Sequence, residues 1–78
     1  MQMVDVAALQ AATTMTALRV ALVGATVEID DVLEVCVVRV TTAYRAALAA
    51  QRMGELAEAL AAVTGQDGLR ITVEAGNV

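Results

Sequence analysis

Ala25-Thr-Val-Glu-Ile-Asp30, then Asp31, then Val32-Leu-Glu-Val-Cys-Val-Val-Arg-Val40 is the stretch on which the fold turns. Ala25, Val27 and Ile29 alternate with Thr26, Glu28 and Asp30, the period of a half-buried strand. Over 32–40, Leu33, Val35 and Val37 share one face while Glu34, Cys36 and Val38 share the other. A strand apolar on both sides belongs at the centre of a sheet. Asp30-Asp31 between the two runs reads as a turn, so the stretch predicts a β-hairpin.

Downstream, Thr41 or Thr42 can cap a helical pattern over 42–64, whose bulk falls at Tyr44, Leu48, Met53, Leu56, Leu60 and Val63. Gly65 can end it in the left-handed conformation. Gly54 interrupts this run and costs about 1 kcal/mol relative to Ala in a helix interior, which predicts a kink or a tight packing contact there. Gln66-Asp-Gly68 then turns the chain into a strand over 69–74, with Leu69, Ile71 and Val73 inward and Arg70, Thr72 and Glu74 outward. Residues 75–78 read as a frayed end. Upstream, Asp5 caps a helical pattern that reaches Val23 and stops at Gly24, with the stripe Ala8, Ala11, Met15, Leu18 and Leu22. The β-branched cluster around Thr13-Thr14-Met15-Thr16 weakens it, so one helix or two are both open. The expected architecture is α+β: one or two N-terminal helices, a β-hairpin, a long helix, straight or kinked, and a final strand, with a three-stranded sheet packed on helices.

With 78 residues, the chain reads as a single domain over 1–78 near the lower limit for a core without staples. Its apolar fraction is 59% and contains no Phe or Trp, so Tyr44 is the one aromatic side chain. So aliphatic a chain predicts surplus apolar surface, covered by a second copy or by another protein. The plainer alternative is that many of the alanines simply lie exposed on helices, as they commonly do.

The net charge is −4, and Arg19, Arg39, Arg45, Arg52 and Arg70 are scattered. Nucleic-acid binding needs a basic stripe to displace phosphate counterions, so none is expected. Arg45 and Arg52, seven apart, share one face of the expected helix. The run 7–27 is the most membrane-like, but four Thr and a central Arg19 make it an amphipathic helix. The first residues lack the basic start and apolar run of a secretory signal. A soluble, cytoplasmic protein is the expectation.

The parts for catalysis are nearly missing, since the chain has no His, Lys or Ser and one Cys. Cys36 reads as a small buried hydrophobe, with an intermolecular disulfide across a strand-paired dimer as the alternative. Glu28, Asp30 and Asp31 read as a solvated turn, because a calcium loop needs further spaced oxygen ligands. Gly65-Gln-Asp-Gly68 has the spacing of a nucleotide-clamping G-x-x-G loop, but it leads from helix to strand and carries Asp67, so it reads as a turn. No enzyme activity, cofactor or metal is expected.

The hairpin from Ala25 to Val37, the helix start Thr42-Ala-Tyr-Arg-Ala-Ala-Leu48, the run Glu55-Leu-Ala-Glu-Ala-Leu-Ala-Ala-Val-Thr-Gly65 and the strand Leu69-Arg-Ile-Thr-Val-Glu74 resemble the small KH-like domains of bacterial replication proteins. These include the DnaA N-terminal domain, the tau C-terminal polymerase-binding domain and the DciA N-terminal domain. The resemblance covers about fifty residues in order. It implies a non-enzymatic protein-protein interaction module of a DNA replication or phage-encoded complex, docking partners through a helix face and a sheet edge. Tyr44, Arg45, Leu48 and Arg52 are the residues expected to meet the partner. The alternative is a self-assembling small structural protein, a homo-oligomer with no replication role.

Overall fold

The apolar runs on either side of Asp30 and Asp31 pair as antiparallel strands in the computed structural model, which describes residues 2–76. In chain order the elements are β1 (Gln2–Met3), α1 (Val6–Ala12), α2 (Thr16–Ala21), β2 (Thr26–Asp30), β3 (Val35–Val40), α3 (Ala43–Ala50), α4 (Met53–Thr64) and β4 (Arg70–Ala75). The class is α+β, as expected. The sheet runs β1-β2-β3-β4, with the first three strands antiparallel and β4 parallel to β3. A parallel return needs a crossover, and α3 with α4 supplies it.

Four strands stand where three were expected. β1 is two residues long and pairs Gln2 with Ile29 and Met3 with Glu28, while Val4 N–H donates to the Val27 carbonyl at 2.8 Å. So short a strand has no alternation of its own to read; it is held by the edge of β2. At the other end, Ala75 is not frayed but pairs with Val40 as the last residue of β4. Of the expected frayed end, residues 77 and 78 lie outside the described residues.

Both helical regions divide. Asp5 caps α1, its Oδ1 accepting from Ala7 N–H at 3.0 Å and Ala8 N–H at 3.4 Å. At the end of α1, Thr13 is buried, and its Oγ1 accepts from Met15 N–H at 3.2 Å, turning the chain before α2. This local bond competes with helix continuation. Arg19 and Gln10 stitch the break: Arg19 Nε donates to the Thr13 carbonyl at 3.1 Å, and Gln10 Nε2 to the Arg19 carbonyl at 2.9 Å. The second division falls at Gln51-Arg52, before Gly54. A Cβ at Gly54 would meet nothing within 4 Å, so the expected close packing there is absent. Gly65 does end α4 in the left-handed region, at φ 73°.

All of the fully buried bulk lies on one side of the sheet. Val27 faces Val38 and Ile29 faces Cys36 across β2 and β3, and these pack with Val40, Leu9, Leu18, Leu22, Leu56 and Leu60. Each large aliphatic side chain so buried contributes about 1.5–3 kcal/mol. Leu9 replaces Ala11 in the expected stripe of α1: Leu9 is buried and Ala11 is exposed. β3 is central, with partners on both sides, but it starts at Val35 and not Val32. Its inner face is Cys36, Val38 and Val40, while Val35 and Val37 lie on the outer face and are half-buried.

Val32 and Leu33 belong to the turn. Asp30 Oδ1 accepts from Val32 N–H at 3.0 Å and Leu33 N–H at 3.2 Å, which folds the chain over before a second strand can start. The loop closes on Glu34 at φ 54°, a left-handed conformation that costs a residue with a Cβ about 1–2 kcal/mol. Glu34 also offers its carbonyl to Arg70 N–H at 2.9 Å, which sets the register of β4.

Leu60→Asp places a charge in the buried layer and should abolish folding, a loss above about 4 kcal/mol; a variant that melts like the parent would refute the assigned helix face. Glu34→Gly should raise stability by about 0.5–1 kcal/mol in urea titrations, because glycine takes the left-handed conformation without the Cβ clash.

Candidate functional site

Thr42 opens α3 by accepting from Arg45 N–H through Oγ1 at 3.1 Å, and this cap sets the direction of the four expected partner residues. Tyr44 stands in the first turn with its side chain in solvent, 71% exposed. Arg45 turns back to the fold: its Nη1 donates to Thr41 Oγ1 at 2.5 Å and to the Val23 carbonyl at 3.3 Å. Its charge thereby meets the carbonyl end of α2, where a cation is favoured. Leu48 is half-buried and packs against the core. Arg52 is exposed at the start of α4 and makes no side-chain cap.

The four residues therefore do not form one face. Arg45 and Arg52 were expected to share a helix, but the division at Gln51-Arg52 puts them on different elements. Tyr44 instead shares its end of the molecule with α2. Arg45, its neighbour in sequence, holds the Val23 carbonyl, and Val23 and Val20 are 49% and 42% exposed. The expected stripe through Leu18 and Leu22 leaves both valines off the buried face, but nothing in the sequence says which element stands next to them. At the opposite end of the hairpin, Val32 and Leu33 are exposed on the turn. The signal for this was Asp30, whose side chain favours a turn longer than the two aspartates alone.

Two shallow grooves open near the start of β4. One, of about 330 Å³, runs between α4 and β4 and is lined by Ala57, Leu60, Ala61, Leu69 and Ile71 with Glu58 at its rim. The other, of about 290 Å³, lies among Asp31, Glu34, Gln66, Asp67 and Leu69. Gln66 Nε2 donates to Asp31 at 3.2 Å and ties this turn to the hairpin. Neither groove brings a nucleophile to a base. Among the described residues no group of three metal-ligating side chains converges, and no helix is long and apolar enough to cross a membrane.

On the outer face of the sheet, Arg39 bridges two carboxylates, Glu28 at 3.4 Å and Glu74 at 3.3 Å. These are exposed pairs, each contributing little to stability. They give the outer face an acid-base-acid ladder across β2, β3 and β4.

Compared with models of known protein families, with curated proteins and with solved structures, the chain matches none.

Cys36 is fully buried, and loss of hydration pushes its thiol up from the ordinary 9.0 to about 11. A thiol held neutral in this way is a poor nucleophile. Because the folded value lies above the unfolded one, the stability that goes with the neutral thiol is complete below pH 9 and declines as the pH rises toward 11. Relative to Cys36→Ala, the wild type should lose about 1–2 kcal/mol between neutral pH and about pH 10.5 in denaturant titrations. Equal pH profiles for the two proteins would refute burial of the thiol.

Proposed function

We propose that the protein is a non-enzymatic, cytoplasmic protein-interaction module that docks its partner at the end formed by Tyr44, Val20 and Val23. The observation that carries this reading is the exposure of the chain's one aromatic side chain on α3 and of two valines on α2 and its C-terminal turn, elements that Arg45 locks together. Aromatic side chains are enriched where protein partners meet, since they bury much area at low entropic cost. Here Arg45 acts on the fold and Tyr44 on the partner. The buried, neutral Cys36 and the grooves without convergent chemistry fit a role in binding more than one in catalysis.

The resemblance to KH-like domains directs this reading to a DNA replication or phage-encoded complex. What supports it is the order of hairpin, helices and returning strand over the same residues. Fold order alone does not carry a function, so the replication role rests on the identity of the partner.

Tyr44→Ala tests the docking surface directly. Stability should change by less than about 0.5 kcal/mol, because the ring is in solvent. Capture of the partner from a lysate of the source cells, compared by quantitative mass spectrometry, should fall about tenfold or more. Undiminished capture would remove Tyr44 from the surface. Retention of chaperones alone by the wild type, with no replication protein, would remove the replication role.

A further inference from the structure

β4 lies at the end of the sheet, and no described element pairs with its outer side. The polarity of that free edge follows from the bonds on its inner side. Arg70 N–H donates to the Glu34 carbonyl and Gly76 N–H to the Val40 carbonyl, so residues 70, 72, 74 and 76 turn their backbone groups toward β3. Ile71 and Val73 therefore turn theirs outward. The six-residue strand has no proline and no bulge to block pairing.

Its side chains carry a second pattern. Arg70, Thr72 and Glu74 stand on the outer face and are exposed, while Ile71 and Val73 stand on the helix side and are half-buried. Read antiparallel against itself about Thr72, the strand sets Arg70 opposite Glu74, Ile71 opposite Val73, and Thr72 opposite Thr72.

We infer that β4 is a homodimer edge, pairing antiparallel with β4 of a second copy about a twofold axis at Thr72. In this register the backbone is satisfied. Ile71 N–H donates to the carbonyl of the partner's Val73, the partner's Val73 N–H donates back to the Ile71 carbonyl, and the axis repeats both bonds. Thr72 then forms the non-hydrogen-bonded pair, in which Cα atoms approach to about 4.5 Å and cross-strand threonines interact favourably.

Charge selects the register. A shift that centres the pairing on Ile71 sets Arg70 against Thr72, and one centred on Val73 sets Glu74 against Thr72. Centring on residue 70 or 74 itself sets like charges face to face. Only the Thr72 register gives two opposite-charge pairs, and it extends the ladder of Glu28, Arg39 and Glu74 across the boundary to the partner's Arg70. On the helix side, Leu69 and Ile71, which line the apolar groove, come beside the partner's Ala75 and the partner's Val73. The occupant is thus a second copy, because the charge pattern complements itself. This dimer does not depend on the Tyr44 surface, which lies on a different element.

Sedimentation from micromolar to millimolar concentration should show a monomer-dimer equilibrium. Arg70→Glu and Glu74→Arg should each weaken dimerisation about tenfold or more, by setting like charges across the axis. The double swap R70E/E74R should recover dimerisation in part, because its arginine at position 74 then stands beside Arg39 within each chain. Mixing the two single variants should give the heterodimer, since one edge is then wholly acidic and the other wholly basic; this readout requires both variants to be folded, which circular dichroism checks. In a Cys36→Ala background, Thr72→Cys should crosslink under mild oxidation and Arg70→Cys should not. A wild type that is monomeric throughout, or a dimer indifferent to these charges and to the position of the cysteine, would overturn the inference. A dimer lost on Tyr44→Ala but not on Arg70→Glu would overturn it too, by placing self-association at the Tyr44 end.

Discussion

Burial of one face of the β2–β3 pair underlies every other feature of the molecule. Val27, Ile29, Cys36, Val38 and Val40 leave water only if the helices lay leucines over them, and Leu9, Leu18, Leu22, Leu56 and Leu60 do so. Without Phe or Trp, the layer is filled from several helices at once, with Leu9 from α1, Leu18 from α2 and Leu56 and Leu60 from α4, and alanines let the helices come close. Ala21, Ala49 and Ala59 are buried at these contacts. The layer is built from many modest contributions, each of the order of a single aliphatic side chain.

One-sided burial also shapes the opposite side. The outer face of the sheet keeps its charges, and Arg39 sits between Glu28 and Glu74. Such exposed pairs add little stability, but they define which strands can lie next to one another. In the edge strand β4, the same alternation that aims Ile71 and Val73 at the helices aims Arg70 and Glu74 at solvent. Packing and edge chemistry are therefore two results of one period-two pattern.

The surface at Tyr44 arises differently. Its cause is Arg45, which directs its charge to the end of α2 and thereby holds α3 against it. Two neighbouring residues so divide their work: one side chain returns to the fold, the other points away from it. The sequence shows Tyr44 and Arg45 side by side and helical, but not that their directions differ in purpose. That difference is set by Thr41 and the Val23 carbonyl, which come from outside the helix.

The hairpin, the returning strand, the caps at Asp5 and Thr42 and the stop at Gly65 were legible from residue pattern, because each rests on contacts within a few residues. The α+β class followed from their order. Less was legible where distant segments compete: the inner face of β3, the length of the hairpin turn, the replacement of Ala11 by Leu9, and the two divided helices. β3 is apolar on both faces, so local period could not say which one the helices cover; pairing of Ile29 with Cys36 settled it. The candidate partner residues were legible as a helix start but not as a surface, since Arg45 and Leu48 are drawn into the fold and Val20 and Val23 are left out. By itself, then, the sequence determined the elements, through local hydrogen bonding and the periods of strand and helix. Only the tertiary structure decided which faces are buried and which strand is left at the edge, because burial depends on what arrives from elsewhere in the chain.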